Sequence, residues 1–64
     1  MCESSAYLIS EGREQKIMDY CIAIIPQVDG KILLADLLGD EKLIDGIIKE
    51  VNLLEHKIIL QGRI

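Results

Sequence analysis

The apolar positions of this chain fall first into short runs bounded by turn residues and then, from Glu41 onward, into a pattern with two readings. Residues 4–9 (Ser-Ser-Ala-Tyr-Leu-Ile) are short and β-compatible with polar neighbours, and predict a first strand. Ser10-Glu11-Gly12-Arg13 predicts a turn in which Gly12 is free to take positive φ. Residues 14–18 alternate loosely and predict a second strand. Residues 21–28 form a near-continuous apolar run interrupted by Pro26, which cannot donate a ladder hydrogen bond and so puts its strand at a sheet edge or a bulge. Asp29-Gly30, between two β-branched-rich runs, is a pair favoured in a type I′ hairpin turn, so residues 31–36 are the returning strand. Leu37-Leu38-Gly39-Asp40 then leaves that strand, its two leucines either core or a patch that a partner chain covers.

After Glu41 the period no longer decides. Leu43, Ile44, Ile47, Ile48, Val51 and Leu54 fall at i, i+1, i+4, i+5, i+8 and i+11, the stripe of an amphipathic helix. Against a helix stand Gly46 within the pattern, Asn52, and a composition led by Ile and Val. The sheet alternative has a strand at 42–44, a turn or bulge at Asp45-Gly46, a strand at 47–53, a tight turn at Leu54-Glu55-His56 and a final strand at 57–60. Periodicity alone leaves the two nearly even, with a slight lean to the helix.

Composition adds a constraint on assembly. Sixty-four residues make a single domain spanning 1–64. A chain this short buries only about 60% of the surface its unfolded form exposes. Half of its residues are hydrophobic, yet it has no Phe or Trp, and twelve isoleucines supply much of the apolar content. Without a disulfide framework such a chain is expected to dimerise.

Eleven acidic against seven basic residues give a net charge of −4, the wrong sign for a protein that tracks a nucleic-acid backbone or docks on anionic lipid. No apolar run approaches the roughly 18 residues of a membrane span, and no secretory signal pattern opens the chain. The expected compartment is cytoplasmic, where Cys2 and Cys21 would not pair. Cys21, beside Ile22-Ala23-Ile24-Ile25, reads as a small buried hydrophobe.

One position carries specific chemistry. Cys2 follows the initiator methionine directly, and removal of Met1 would make it the amino terminus. Its α-amine and thiolate would then close a five-membered ring on a soft transition metal. Glu3, next to it, could orient a ligand from the second coordination shell, although a terminal Glu is more often simply solvated. His56 is the single histidine, in an expected turn, with no second His or Cys near it in sequence. Ser4 and Ser5 have no evident base and orienting acid, so catalysis is not expected.

The whole chain resembles the CooT family of small nickel-binding proteins. The resemblance rests on Met1-Cys2, Ala6-Tyr7-Leu8, the Asp29-Gly30 turn, and Leu33-Leu34-Ala35-Asp36-Leu37-Leu38-Gly39-Asp40. It continues through Ile47-Ile48-Lys49-Glu50-Val51-Asn52-Leu53 and His56-Lys57-Ile58-Ile59-Leu60. It implies an all-β fold, a small SH3-like antiparallel β-barrel of about six to seven short strands, assembled as a homodimer. Under it the C-terminal half is strand, and the helical spacing is coincidental.

The resemblance also implies nickel(II) bound through Cys2, and an accessory role in supplying nickel to carbon monoxide dehydrogenase, with that enzyme or its maturation factors as partners. Two Cys2 residues meeting across a dimer twofold would offer two sulfur and two nitrogen donors. That set suits square-planar nickel(II) at one metal per dimer. Two further readings compete with this carrier or buffer: an RNA-binding small barrel, and a protein-interaction module in which Cys2 is incidental. The first lacks the basic groove and the stacking aromatics of single-strand binders. The second would use the strand near Pro26 and the Leu37-Leu38 pair.

Overall fold

The computed structural model describes residues 3–62, which form seven strands and no helix. They are β1 (Ser5–Ser10), β2 (Arg13–Met18), β3 (Cys21–Pro26), β4 (Ile32–Asp36), β5 (Glu41–Ile44), β6 (Gly46–Asn52) and β7 (Lys57–Gly62). A four-stranded sheet runs in the order β2-β1-β7-β6, and a three-stranded sheet in the order β3-β4-β5. The all-β class and the strand number agree with expectation. Two details of the expected barrel do not. The two sheets are separate rather than one closed ladder, and β1 pairs with β7 in parallel, from Ser5↔Lys57 to Ile9↔Gln61. The chain changes sheet at Asp19-Tyr20 and at Asp45, and the abrupt corner with Tyr20 at φ 52 ends the ladder there.

Turn chemistry explains most of the connections. Ser10 pairs with Arg13 across Glu11 and Gly12, which have φ of 53 and 76. Two central residues at positive φ make this the type I′ hairpin. The turn expected at Asp29-Gly30 is different. Only Gly30 is at positive φ (88), Gln27 N–H donates to the Lys31 carbonyl at 2.7 Å, and Gly30 N–H donates to the Gln27 carbonyl at 3.1 Å. That is a three-residue loop, Val28-Asp29-Gly30, closed by a glycine bulge. Asp29 supports it as an acceptor, taking the Lys31 N–H at 3.0 Å. The β4–β5 connection has the same form, with Gly39 at φ 91, Asp36 N–H donating to the Asp40 carbonyl at 2.9 Å, and Gly39 N–H donating to the Asp36 carbonyl at 3.0 Å.

The segment that could have been helical is β5 and β6. Ile32↔Ile44 and Leu33↔Leu43 join β5 to β4, while Ile48↔Leu60 and Val51↔Ile58 join β6 to β7. Strand wins because open strand edges lie on both sides to receive β-branched residues. The supposed helical stripe is not a buried stripe at all: Leu43, Ile47, Ile48 and Val51 stay 40–54% exposed.

Between the sheets lies a core of Ala6, Met18, Cys21, Ile32, Leu34, Ile58 and Leu60, with Leu8, Ile17, Ile24 and Ile44 packed against it. The alternation of a strand sends Ile32 and Leu34 inward and their neighbours outward. The outward face of β3-β4-β5 therefore carries the cross-strand rows Ile25-Leu33-Leu43 and Ala23-Ala35-Glu41. Pro26 ends β3, which is an edge strand, as expected.

Candidate functional site

Cys2, the expected metal ligand, lies outside the described residues, so the site is built from the residues that follow it. Glu3 is exposed. Ser4 is 1% exposed, and its carbonyl accepts the Cys21 N–H at 2.8 Å. Ser5 N–H donates to the His56 carbonyl at 2.9 Å, and its hydroxyl donates to Asp19 Oδ1 at 3.2 Å. Two segments remote in sequence, the Asp19–Cys21 corner and the β6–β7 turn, therefore clamp the root of the N-terminal segment where β1 starts. Ser4 fits because it is small and polar in a place where a backbone carbonyl must reach β3.

The charges around this root are sparse. Lys16 Nζ lies 3.2 Å from Asp19 Oδ1. That hydrogen bond, followed by the attraction of the Asp19 charge, holds the Lys16 ammonium above the usual lysine range. Both side chains are about half exposed, so solvent screens the pair and it adds little stability. On the outer face of the larger sheet, Lys57 Nζ sits 4.8 Å from the centre of the Tyr7 ring and 3.5 Å from Glu14 Oε2.

The remaining sequence candidates take structural positions. Cys21 is 2% exposed, with its thiol donating to the Ala23 carbonyl at 3.5 Å, and it packs in the core as its apolar neighbours suggested. His56 is exposed at φ 58 and contributes its carbonyl, not its ring, to the clamp. Among the described residues no group of three or more His, Cys, Asp or Glu side chains could hold a metal ion. The Ser5 hydroxyl donates to Asp19 Oδ1, the same oxygen that Lys16 holds, and so belongs to the clamp.

Beside the clamp, an open cleft of about 610 Å³ runs between the end of β2 and the β4–β5 loop. Sequence reasoning missed it, and missed Tyr20 at its edge. A tyrosine gives no sign in sequence that its backbone will be held at φ 52, a conformation normally left to Gly, Asn or Asp.

The model of a family described as the CO dehydrogenase accessory protein CooT matches residues 1–61. The chain belongs to the CooT family. Its fold is similar to a crystal structure assigned as CooT from Carboxydothermus hydrogenoformans, with a TM-score of 0.86 and 30% sequence identity. That likeness covers 98% of this chain and 100% of the other. No curated protein matches. The CooT match spans the N-terminal segment, its clamp and both sheets, so the accessory role attached to the family applies to the whole domain and not to one hairpin. Among the described residues of this CooT-family chain, no helix is long and apolar enough to cross a membrane.

Proposed function

We propose that this CooT-family chain is a small cytoplasmic nickel(II)-binding accessory protein, not an enzyme, which carries or buffers nickel for carbon monoxide dehydrogenase maturation. Nickel is its cargo, and Cys2 is the ligand. The observation that carries the reading is a family match that begins at residue 1 and so includes Met1-Cys2. The clamp on Ser4 and Ser5 supports it, because a segment fixed at its root loses less conformational freedom when it binds.

The chemistry follows from the donors. With Met1 removed, each Cys2 supplies an α-amine and a thiolate, and two copies supply a four-donor set suited to square-planar nickel(II). If Met1 stays, the amine chelate is lost, and thiolate with backbone amides must bind. One nickel per homodimer is the stoichiometry this requires. Self-association is supported by the outward row Ile25-Leu33-Leu43, in which Ile25 and Leu43 are 48% and 54% exposed in a chain too small to cover them. The same sheet begins at Cys21, whose N–H is bonded to the Ser4 carbonyl, and a twofold near that end would bring the two segments that carry Cys2 toward each other.

Thiol and amine must lose protons on binding, so affinity falls as pH drops. The test is a nickel titration of protein with a processed N-terminus, following ultraviolet charge-transfer bands and stoichiometry, repeated with Cys2→Ser and with a residual N-terminal tag. One nickel per two chains, lost in Cys2→Ser and altered by the tag, is the expected result. Binding unchanged in both variants would place nickel elsewhere and end the proposal.

A further inference from the structure

We propose that the cleft beside Tyr20 is a docking site for a basic, apolar-tipped segment of a partner protein, in which a leucine or aromatic side chain is flanked by Lys or Arg. The inference goes beyond nickel binding and stands whether or not Cys2 holds a metal. Buried Met18 lies at the base of the cleft, and Tyr20, Leu37 and Leu38 border it with 49%, 54% and 87% of their surface exposed. These apolar groups are not on a loose loop. Asp36 Oδ1 accepts the N–H groups of Leu38 and Asp40, both at 2.9 Å, and Leu37 N–H donates to the Tyr20 carbonyl at 3.0 Å. Tyr20 itself is held at φ 52, where a bulky side chain is strained. The exposed groups are thus presented in a fixed arrangement, which lowers the ordering cost of binding.

Charge decides the occupant. Three carboxylates, Asp19, Asp36 and Asp40, line the cleft against two lysines, and Lys16 is already paired with Asp19. Asp36 and Asp40 remain against Lys42, on a chain of net charge −4. A basic segment is attracted and oriented by this rim, and its Lys or Arg can also lie over the exposed Tyr20 ring. A second copy of this chain would bring the same acidic rim against its own and be repelled. The Cys21–Ser4 bond adjoins Tyr20, so a segment docked here lies beside the root of the N-terminal segment.

The probes are two synthetic octapeptides, one alternating Lys and Leu and one alternating Glu and Leu, titrated into the full chain while amide resonances are followed by NMR. The Lys–Leu peptide should shift Tyr20, Leu37, Leu38 and Asp40 saturably and bind more weakly as salt rises, and the Glu–Leu peptide should not. Leu38→Ser should weaken binding roughly tenfold or more, from the lost apolar contact. Asp40→Lys should weaken it about two- to fivefold, the range of an exposed ion pair. Glu11→Lys, the same charge change at the far end of β1, should leave it unchanged. Shifts that map elsewhere, equal binding of the two peptides, or equal effects of Asp40→Lys and Glu11→Lys would overturn the proposal. So would resonances of Leu37 and Leu38 that move on dilution without peptide, since a second copy would then occupy the cleft.

Discussion

Gly46→Ala should be among the most destabilising single-methyl changes in this chain. Gly46 is buried at the start of β6, opposite Gly62 of β7. A β-carbon there would overlap the carbonyl oxygen of Gln61, with the Gln61 carbonyl carbon at 3.1 Å and Gly62 Cα at 3.3 Å. All three are backbone atoms, so no side chain can rotate away. The β6–β7 ladder must open at its Gly46↔Gly62 end. Overpacking of a filled interior costs about 1–3 kcal/mol, and a clash with fixed backbone belongs at the top of that range. At about 0.05–0.15 kcal/mol per residue, 64 residues give about 3–10 kcal/mol of total stability, so about 3 kcal/mol is a third of it or more.

Urea unfolding followed by far-ultraviolet circular dichroism, at one fixed protein concentration, measures the loss. With a slope of about 1 kcal/mol/M for a domain this small, the midpoint should fall by about 3 M. Gly12→Ala is the reference. Its β-carbon meets nothing within 4 Å, so it carries only the cost of φ +76, about 1–2 kcal/mol. The sign matters more than the size. If residues 41–54 were the amphipathic helix their spacing allows, Gly46→Ala would stabilise the protein by about 1 kcal/mol. A Gly46→Ala variant at least as stable as the parent, or less damaged than Gly12→Ala, would refute the strand geometry argued above.

Two further substitutions probe the turns. Glu11→Asn converts the type I′ turn at φ 53 to the favoured Asn-Gly pair and should raise stability by about 0.5–1 kcal/mol in the same urea experiment. Asp36→Ala removes the acceptor of the Leu38 and Asp40 N–H groups and should cost about 1–2 kcal/mol. Hydrogen exchange should show those two amides losing protection while Leu34 and Leu60, both 0% exposed, keep theirs.

What the sequence made legible was whatever had a local cause. Pro26 excluded a central strand, and β3 is an edge. The near-continuous apolar run at 21–28 supplies β3 over Cys21–Pro26, with Cys21 in the core and Ile25 facing outward. Where local rules competed, they named the right residues and the wrong geometry. Asp29-Gly30 is a turn, but Asp29 keeps negative φ and spends its carboxylate on Lys31 N–H, which lengthens the loop to three residues. The type I′ turn went instead to Glu11-Gly12, where a two-residue connection is imposed by the Ser10↔Arg13 pair. Nothing local announced the parallel pairing of β1 with β7, because it joins the two ends of the sequence and depends on the whole chain having folded.

The helical stripe failed for a reason that bears on function. An amphipathic helix would bury this stripe, yet Leu43, Ile47, Ile48 and Val51 remain 40–54% exposed. An edge strand with such residues invites pairing with another chain. Here β6 carries a bulge at Lys49, between Ile48 and Glu50, and the adjacent charges Lys49 and Glu50 interrupt the apolar surface. Bulges and charges are the means by which natural sheets blunt an edge. The outward Ile25-Leu33-Leu43 row has no such guard: it is continuous across three strands and uncharged. Contact between copies is therefore expected face to face on β3-β4-β5 rather than edge to edge on β6.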